Sequence, residues 1–104
     1  MNREISFTNK DNLNIQIIFN EVGLSNIITI KNEDEVHYID ATIIFQKFVD
    51  LNPKMTWSKT KLILHSFDII QKQINCEFDK NINNLIKSYG VKTNINKRLH
   101  NLLK

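Results

Sequence analysis

The sequence predicts an α+β fold, a small antiparallel sheet followed by four or five helices. Apolar and polar residues alternate in residues 13–19, which is the pattern of a half-buried strand. From residue 41 the apolar residues instead recur at helical spacing, directly after an acidic residue suited to cap a helix. With 104 residues, of which 41% are hydrophobic and 24% charged, the chain has the size of one domain, which we expect to span residues 1–104.

The predicted sheet consists of an N-terminal strand and a β-hairpin. Residues 13–19 form the strand, and Gly23 marks the turn that ends it. Two apolar stretches, residues 27–30 and 36–39, flank a polar tip at residues 32–34, as in a hairpin with a loop of a few residues. The first half of the chain should therefore be antiparallel sheet.

The first helix is predicted from Ala41 to residue 49, with Asp40 as its N-cap. Its apolar residues fall at i, i+3, i+4 and i+7 and so share one face: Ala41, Ile44, Phe45 and Phe48. Asn52 precedes Pro53 and therefore avoids the helical region, which should end this helix.

Further helices are expected in the second half. Thr56 or Ser58 should cap the next one, and the pattern leaves open whether residues 58–75 form one bent helix or two. Asp79 should cap another, which Gly90 would end in the left-handed conformation. Thr93 should cap a last helix, whose apolar residues are Ile95, Leu99, Leu102 and Leu103.

Charge is divided unevenly along the chain. Residues 1–50 carry four basic and eight acidic side chains, a net charge of −4, whereas residues 51–104 carry ten basic and three acidic ones, a net charge of +7. A clustered positive field attracts polyanions, although lysines used only for solubility produce the same composition.

A basic turn precedes and begins the predicted second helix. It contains hydroxyl and ammonium groups beside free backbone amides, which together suit a phosphate: Lys54, Thr56, Ser58, Lys59 and Lys61. An ordinary capped and solvated helix start has a similar composition. Trp57 is interpreted as a core anchor in preference to a base-stacking residue. A second basic cluster on the terminal helix either grips phosphates or forms a polar face: Lys92, Lys97, Arg98, His100 and Lys104.

Catalysis has little support in the sequence. The three histidines, His37, His65 and His100, stand in different predicted elements, and Cys76 is interpreted as a buried structural cysteine. The acidic stretch at residues 33–35 is explained by a solvated hairpin tip, so no metal site is expected. Two glycines cannot form a Gly-rich phosphate loop. We therefore expect no enzyme and no cofactor.

Cysteine usage and hydropathy bear on the compartment. A single cysteine forms no internal disulfide, which fits a reducing environment. Residues 1–12 lack the apolar core of a signal peptide, and no apolar stretch approaches the roughly 18 residues that span a bilayer. The expectation is a cytoplasmic protein without a membrane partner.

The order of several short motifs along the chain resembles that of a known family. Tyr38-Ile39-Asp40-Ala41-Thr42 is followed by an apolar helix, then Thr56-Trp57-Ser58, then a helix that ends in Phe67-Asp68-Ile69-Ile70. Over roughly residues 27–75 this order resembles the KilA-N and Bro-N class of large DNA viruses and phages. Asp40 stands where the family usually has Asn, and lysines replace an expected Arg. The resemblance implies an α+β domain that binds DNA, often in viral or phage transcription regulation or as an antirepressor.

These observations give a leading functional hypothesis and two competitors. The leading one is a DNA-binding regulatory domain that contacts the phosphate backbone through Lys54, Thr56, Ser58, Lys59 and Lys61, with Lys97 and Arg98. The first competitor is a phage-encoded inhibitor of a host defence or transcription protein, which would dock through the acidic hairpin or the terminal helix. The second is a small enzyme that uses Cys76 or a histidine. A homodimer is compatible with DNA binding, although no heptad indicates one.

Overall fold

A computed structural model describes the backbone of residues 3–96 and the side chains of residues 3–90. Four consecutive antiparallel strands are followed by three helices and a fifth strand, and the strands lie in the sheet in chain order. The elements are β1 (Arg3–Thr8), β2 (Asn14–Val22), β3 (Ser25–Lys31), β4 (Glu35–Asp40), α1 (Ala41–Leu51), α2 (Lys59–Cys76), α3 (Phe78–Tyr89) and β5 (Gly90–Asn96). The α+β class is confirmed.

The predicted number of helices is wrong for the described residues, which contain three helices instead of four or five. Residues 58–75 form one helix, and the segment expected to begin a last helix is β5. Thr93 and Ile95 lie in that strand, and Ile95 is paired with Val36 of β4. Pairing with the open edge of β4 is a long-range interaction that helical spacing in the sequence does not reveal. Leu99, Leu102 and Leu103 lie outside the described residues.

The sheet also has a strand that the sequence analysis missed. β1 pairs with β2 in continuous antiparallel register, with Ile5 opposite Ile17 and Phe7 opposite Ile15. Only these two apolar residues alternate with polar ones in β1, which gives a weak signal by itself. The strand forms because the longer β2 offers it a paired edge.

Three helices cover one face of the sheet and enclose the core. Alternate residues of the central strands point to the helices and are buried: Ile15, Ile17, Phe19, Ile28, Ile30, His37 and Ile39. The helices contribute a matching apolar stripe: Ala41, Ile44, Phe45, Phe48, Ile63, Phe67, Ile70, Ile74, Phe78, Ile82 and Leu85. Each fully buried large apolar side chain stabilises the fold by about 1.5–3 kcal/mol, so this layer contact is the main source of stability.

α1 begins at Ala41 and stops at Asn52 as predicted, although it extends to Leu51, two residues beyond the predicted range. The Asp40 carboxylate accepts a hydrogen bond of 2.9 Å from the backbone amide of Thr42, and Asn52 caps the C-terminal end before Pro53. The predicted apolar face is the buried one, with Ala41, Ile44, Phe45 and Phe48 in the core. The junction of β4 and α1 at residue 40 is therefore fixed by a local cap and by burial of the apolar face of α1.

α2 is capped by Ser58 and not by Thr56. The Ser58 hydroxyl oxygen accepts a hydrogen bond of 3.1 Å from the backbone amide of Lys61. At the other end, three backbone carbonyls of the last turn accept hydrogen bonds from other elements: Ile74 from the Asn9 side chain, Asn75 from the Lys10 amide, and Gln73 from the Asn81 side chain. The last turn of this helix is thus bonded to other elements, and one amide of its first turn is capped.

α3 ends at Gly90 as predicted, but its N-cap and the conformation of Gly90 differ from the prediction. Its N-cap is Glu77, which makes no side-chain capping bond, and Asp79 lies in the first turn instead of capping it. Burial of Phe78, which is 1% exposed, draws that residue into the helix. Gly90 has φ of −81° and is extended, so the left-handed prediction is wrong. Glycine fits there because a Cβ would collide with the carbonyl oxygen of Ile86.

We expect Asp40→Ala to lower the free energy of unfolding by about 1 kcal/mol, because the first turn of α1 loses its side-chain acceptor. Asp40→Asn keeps an acceptor oxygen and is the matched control. Urea denaturation of the three proteins measures the difference. Equal stability of the alanine variant and the natural sequence would contradict a capping role.

Candidate nucleic-acid interface

The candidate interface lies at the N-terminal end of α2, which is next to the β2–β3 turn. Lys59, the first residue of α2, contacts Glu21 near the end of β2, with 2.6 Å between Nζ and Oε1. The last turn of α2 is bonded to Asn9 and Lys10, in the turn that precedes β2. α2 therefore runs along β2 from one end to the other, and its position follows from contacts at both ends.

Lys59 is occupied by contacts within the protein. Besides its ion pair with Glu21, its ammonium nitrogen lies 6.0 Å from the centre of the Phe19 ring. The hydrogen bond from Lys59 and its positive charge hold the pKa of the Glu21 carboxyl below its ordinary value, against an opposing effect of desolvation. Lys59, which was predicted to contact phosphate, has a carboxylate partner within the protein.

Lys54, Thr56 and Lys61 are exposed, and their side chains make no hydrogen bond or ion pair with the described residues. Lys54 and Thr56 lie in the segment before α2, and Lys61 lies in its first turn, which contains no acidic residue. The amides of Lys59 and Thr60 have no acceptor within the helix, because the first turn of any α-helix leaves its amides unpaired. Positive side chains and free amide donors thus share one end of α2.

The Ser58 hydroxyl can accept one hydrogen bond and donate another. Its oxygen accepts the capping bond from the Lys61 amide, but a hydroxyl also carries one proton that it can donate. That proton is free to reach an oxygen atom of a ligand outside the helix. The predicted set of five residues therefore divides into a capping residue, an ion-paired lysine and three side chains directed to solvent.

Trp57 packs against the core, as predicted, and supports the turn before α2. Its ring is half-buried and stacks on Phe48, with 5.8 Å between ring centres and 22° between the planes. The His65 ring contacts both of these rings, with its centre 4.6 Å from that of Phe48 and 5.6 Å from that of Trp57. Trp57 is therefore held between the core and α2, and this packing fixes the path of the basic segment.

A shallow depression of about 480 Å³ lies on α2 beside these groups. Its lining includes four residues that were not predicted to belong to the interface: Thr60, Leu64, His65 and Asp68. Asp68 forms an exposed ion pair of 3.0 Å with Lys72 one turn later. Helical spacing from Lys61 to residues 64, 65 and 68 was the signal that could have placed them on the same surface.

The second basic cluster contributes nothing observable to this interface. Lys92 lies in β5 instead of a terminal helix, and the structure describes only its backbone. Lys97, Arg98, His100 and Lys104 lie outside the described residues. Their assignment to a phosphate-binding surface stays a prediction.

Of the residues considered for catalysis, His100 lies outside the described residues, and His37, His65 and Cys76 lie in different environments. His37 is fully buried and its Nε2 atom lies 2.7 Å from the Glu35 carboxylate, whereas His65 is on the surface of α2. Cys76 is exposed, so its interpretation as a buried structural cysteine is wrong. It forms no hydrogen bond with either histidine in residues 3–90.

The acidic hairpin tip is organised by its neighbours. The Asn32 side chain accepts hydrogen bonds from the amides of Asp34 and Glu35, and the Glu33 carboxylate accepts one of 3.3 Å from Asn14. Within the described residues, no group of three or more His, Cys, Asp or Glu side chains is placed to hold a metal ion. None of the helices between residues 3 and 96 is long and apolar enough to cross a bilayer.

Comparison of the chain with protein-family models, with curated proteins and with solved structures found no match.

We expect Lys59→Met to raise the pKa of Glu21 toward its ordinary value, because the variant removes the main cause of its depression. Since the folded-state pKa is below the unfolded one, this ion pair stabilises the fold above the unfolded pKa and is lost as pH falls through the folded pKa. NMR titration of the Glu21 carboxyl carbon measures the shift. Lys61→Met is the control, and an equal rise there would contradict the pairing.

Proposed function

We propose that this protein is a DNA-binding regulatory domain of viral or phage type, which contacts the phosphate backbone at the N-terminal end of α2. The observation that carries the proposal is the pair Lys54 and Lys61, two exposed ammonium groups without a carboxylate partner among the described residues, at a helix start without acidic residues. Such an end already favours anions through its free amides and the helix dipole.

The donors have different roles in the proposed contact. Lys54, Thr56 and Lys61 would contact phosphate oxygens directly, and the free proton of Ser58 would add one donor. Lys59 would contact phosphate less directly, because its ammonium group is paired with Glu21, while its partly exposed charge adds to the positive field. Contacts of this kind position a protein on duplex DNA without reading its sequence. Lys97 and Arg98 remain proposed additional contacts.

The resemblance to the KilA-N class supports the regulatory part of the proposal. The motif that suggested it spans the junction of β4 and α1, where Asp40 caps the helix. Asp40 therefore supports the fold, and its carboxylate would repel phosphate. DNA contact is assigned instead to the segment around Trp57, where the lysines lie.

Fluorescence anisotropy with a labelled random duplex over a series of salt concentrations tests this proposal. We expect binding at low salt, with each neutralised phosphate contributing about −0.9 to the slope of log affinity against log salt concentration. The double variant Lys54→Glu and Lys61→Glu should weaken binding and make the slope shallower by about 1.8.

The matched control is the double variant Lys80→Glu and Lys87→Glu, which changes net charge equally on exposed positions of α3. It should keep the salt slope of the natural sequence. Absence of binding at low salt, or equal loss in the two double variants, would contradict the proposed interface.

A further inference from the structure

The edge of the sheet at β1 is unpaired among the described residues. β2, β3 and β4 each have a neighbour on both sides, whereas β1 pairs only with β2. An antiparallel edge strand directs the backbone groups of every second residue away from the sheet, ready to pair with another strand. The six residues of β1 therefore offer a row of hydrogen-bonding groups.

The side chains on the inner face of this strand are apolar and incompletely covered. Ile5 and Phe7 point to the helical side, where they pack on the margin of the core, but both stay half-buried. The residues that alternate with them, Glu4, Ser6 and Thr8, are exposed on the outer face. A strand added beside β1 would remove more of the Ile5 and Phe7 surfaces from water, which favours its binding.

β1 also lacks most of the features that usually protect an edge. It contains no proline, its register with β2 is continuous, and the one charge on its inner face is Arg3, at the first position of the strand. Natural proteins commonly block an exposed edge with a proline, a bulge or an inward-pointing charge. Here the flat register and the apolar inner face are instead suited to receive a partner strand.

We propose that β1 pairs antiparallel with β1 of a second copy of this chain, with Ser6 of each copy opposite Ser6 of the other. This register places Ile5 opposite Phe7 of the second copy and Phe7 opposite Ile5, so that both apolar pairs lie on the helical side. It also places Glu4 opposite Thr8 of the second copy. The two sheets would then join as one sheet of ten strands across a two-fold axis.

Side-chain pairing separates this register from its neighbours. Directly paired residues must point to the same side, so the adjacent registers are shifted by two residues in their pairing. In one direction, the adjacent register places Arg3 opposite the apolar Phe7, and a further shift places the two Glu4 carboxylates opposite each other, which is destabilising. In the other direction, the adjacent register pairs the two Phe7 side chains but leaves Ile5 opposite Asn9, which lies beyond the end of β1. Only the register centred on Ser6 places both Ile5 and Phe7 opposite apolar residues without placing like charges opposite each other.

Reciprocal charge variants at the two-fold axis test this inference. Ser6 is exposed in the single chain, so Ser6→Glu and Ser6→Lys should fold normally, as circular dichroism would verify. In a dimer of either variant, the two introduced side chains carry the same charge and lie directly opposite each other. We therefore expect dimer affinity to fall about fivefold or more. Sedimentation velocity over a wide range of concentration measures the dissociation constant of each variant and of an equimolar mixture.

The expected result is a dimer for the natural sequence, weaker association for each variant alone, and recovery in the mixture, where the introduced carboxylate of one copy faces the introduced ammonium group of the other. Ser88→Glu, the same substitution on an exposed position of α3, should dimerise like the natural sequence. A monomeric natural sequence, undiminished association of both variants, or no recovery on mixing would each overturn the proposal. None of these outcomes depends on DNA binding.

Discussion

The position of α2 along β2 is the constraint on which the rest of the structure depends. The helix is held by its buried stripe, which places Ile63, Phe67, Ile70 and Ile74 in the core. Its ends are then fixed by contacts with opposite ends of β2, through Glu21 at one end and through Asn9 and Lys10 at the other. Because α1 and α3 pack beside it, moving α2 would expose the inner face of the sheet.

The relative energies of these interactions show which one positions α2. An exposed ion pair such as Lys59–Glu21 contributes little to stability, because water and salt screen it. Burial of the four apolar residues of α2 contributes several times more. Packing therefore positions the helix, and the ion pair selects the orientation of one side chain. This arrangement leaves Lys54 and Lys61 directed to solvent, whereas Lys59 is retained by the protein.

Local signals in the sequence were enough to predict the parts of the fold with local causes. The cap at Asp40, the apolar face of α1 and the hairpin of β3 and β4 depend on neighbouring residues or on short-range spacing, and each was predicted. β5 depends on pairing with β4, which is distant in sequence, and β1 has only two apolar residues that alternate with polar ones, so both short segments carried little information. The left-handed prediction at Gly90 failed because a close approach to Ile86, and not a turn, requires the glycine.

Prediction of the candidate site was limited for a similar reason. The sequence located the basic segment and the supporting position of Trp57, because both follow from residues adjacent in the chain. It did not show that Lys59 has a carboxylate partner in β2, since Glu21 is distant in sequence. It also did not place His65 beside Phe48 and Trp57, a contact that forms only when α1 and α2 pack together.

The central claim is that the N-terminal end of α2 is the surface that meets DNA, and NMR titration tests it most directly. Isotope-labelled protein would be titrated with a short duplex while each backbone amide signal is followed. The account predicts that the largest shifts fall on residues 54–61, with small shifts along α3 and at the β3–β4 tip. Largest shifts on α3 or at that tip, with residues 54–61 unchanged, would contradict it.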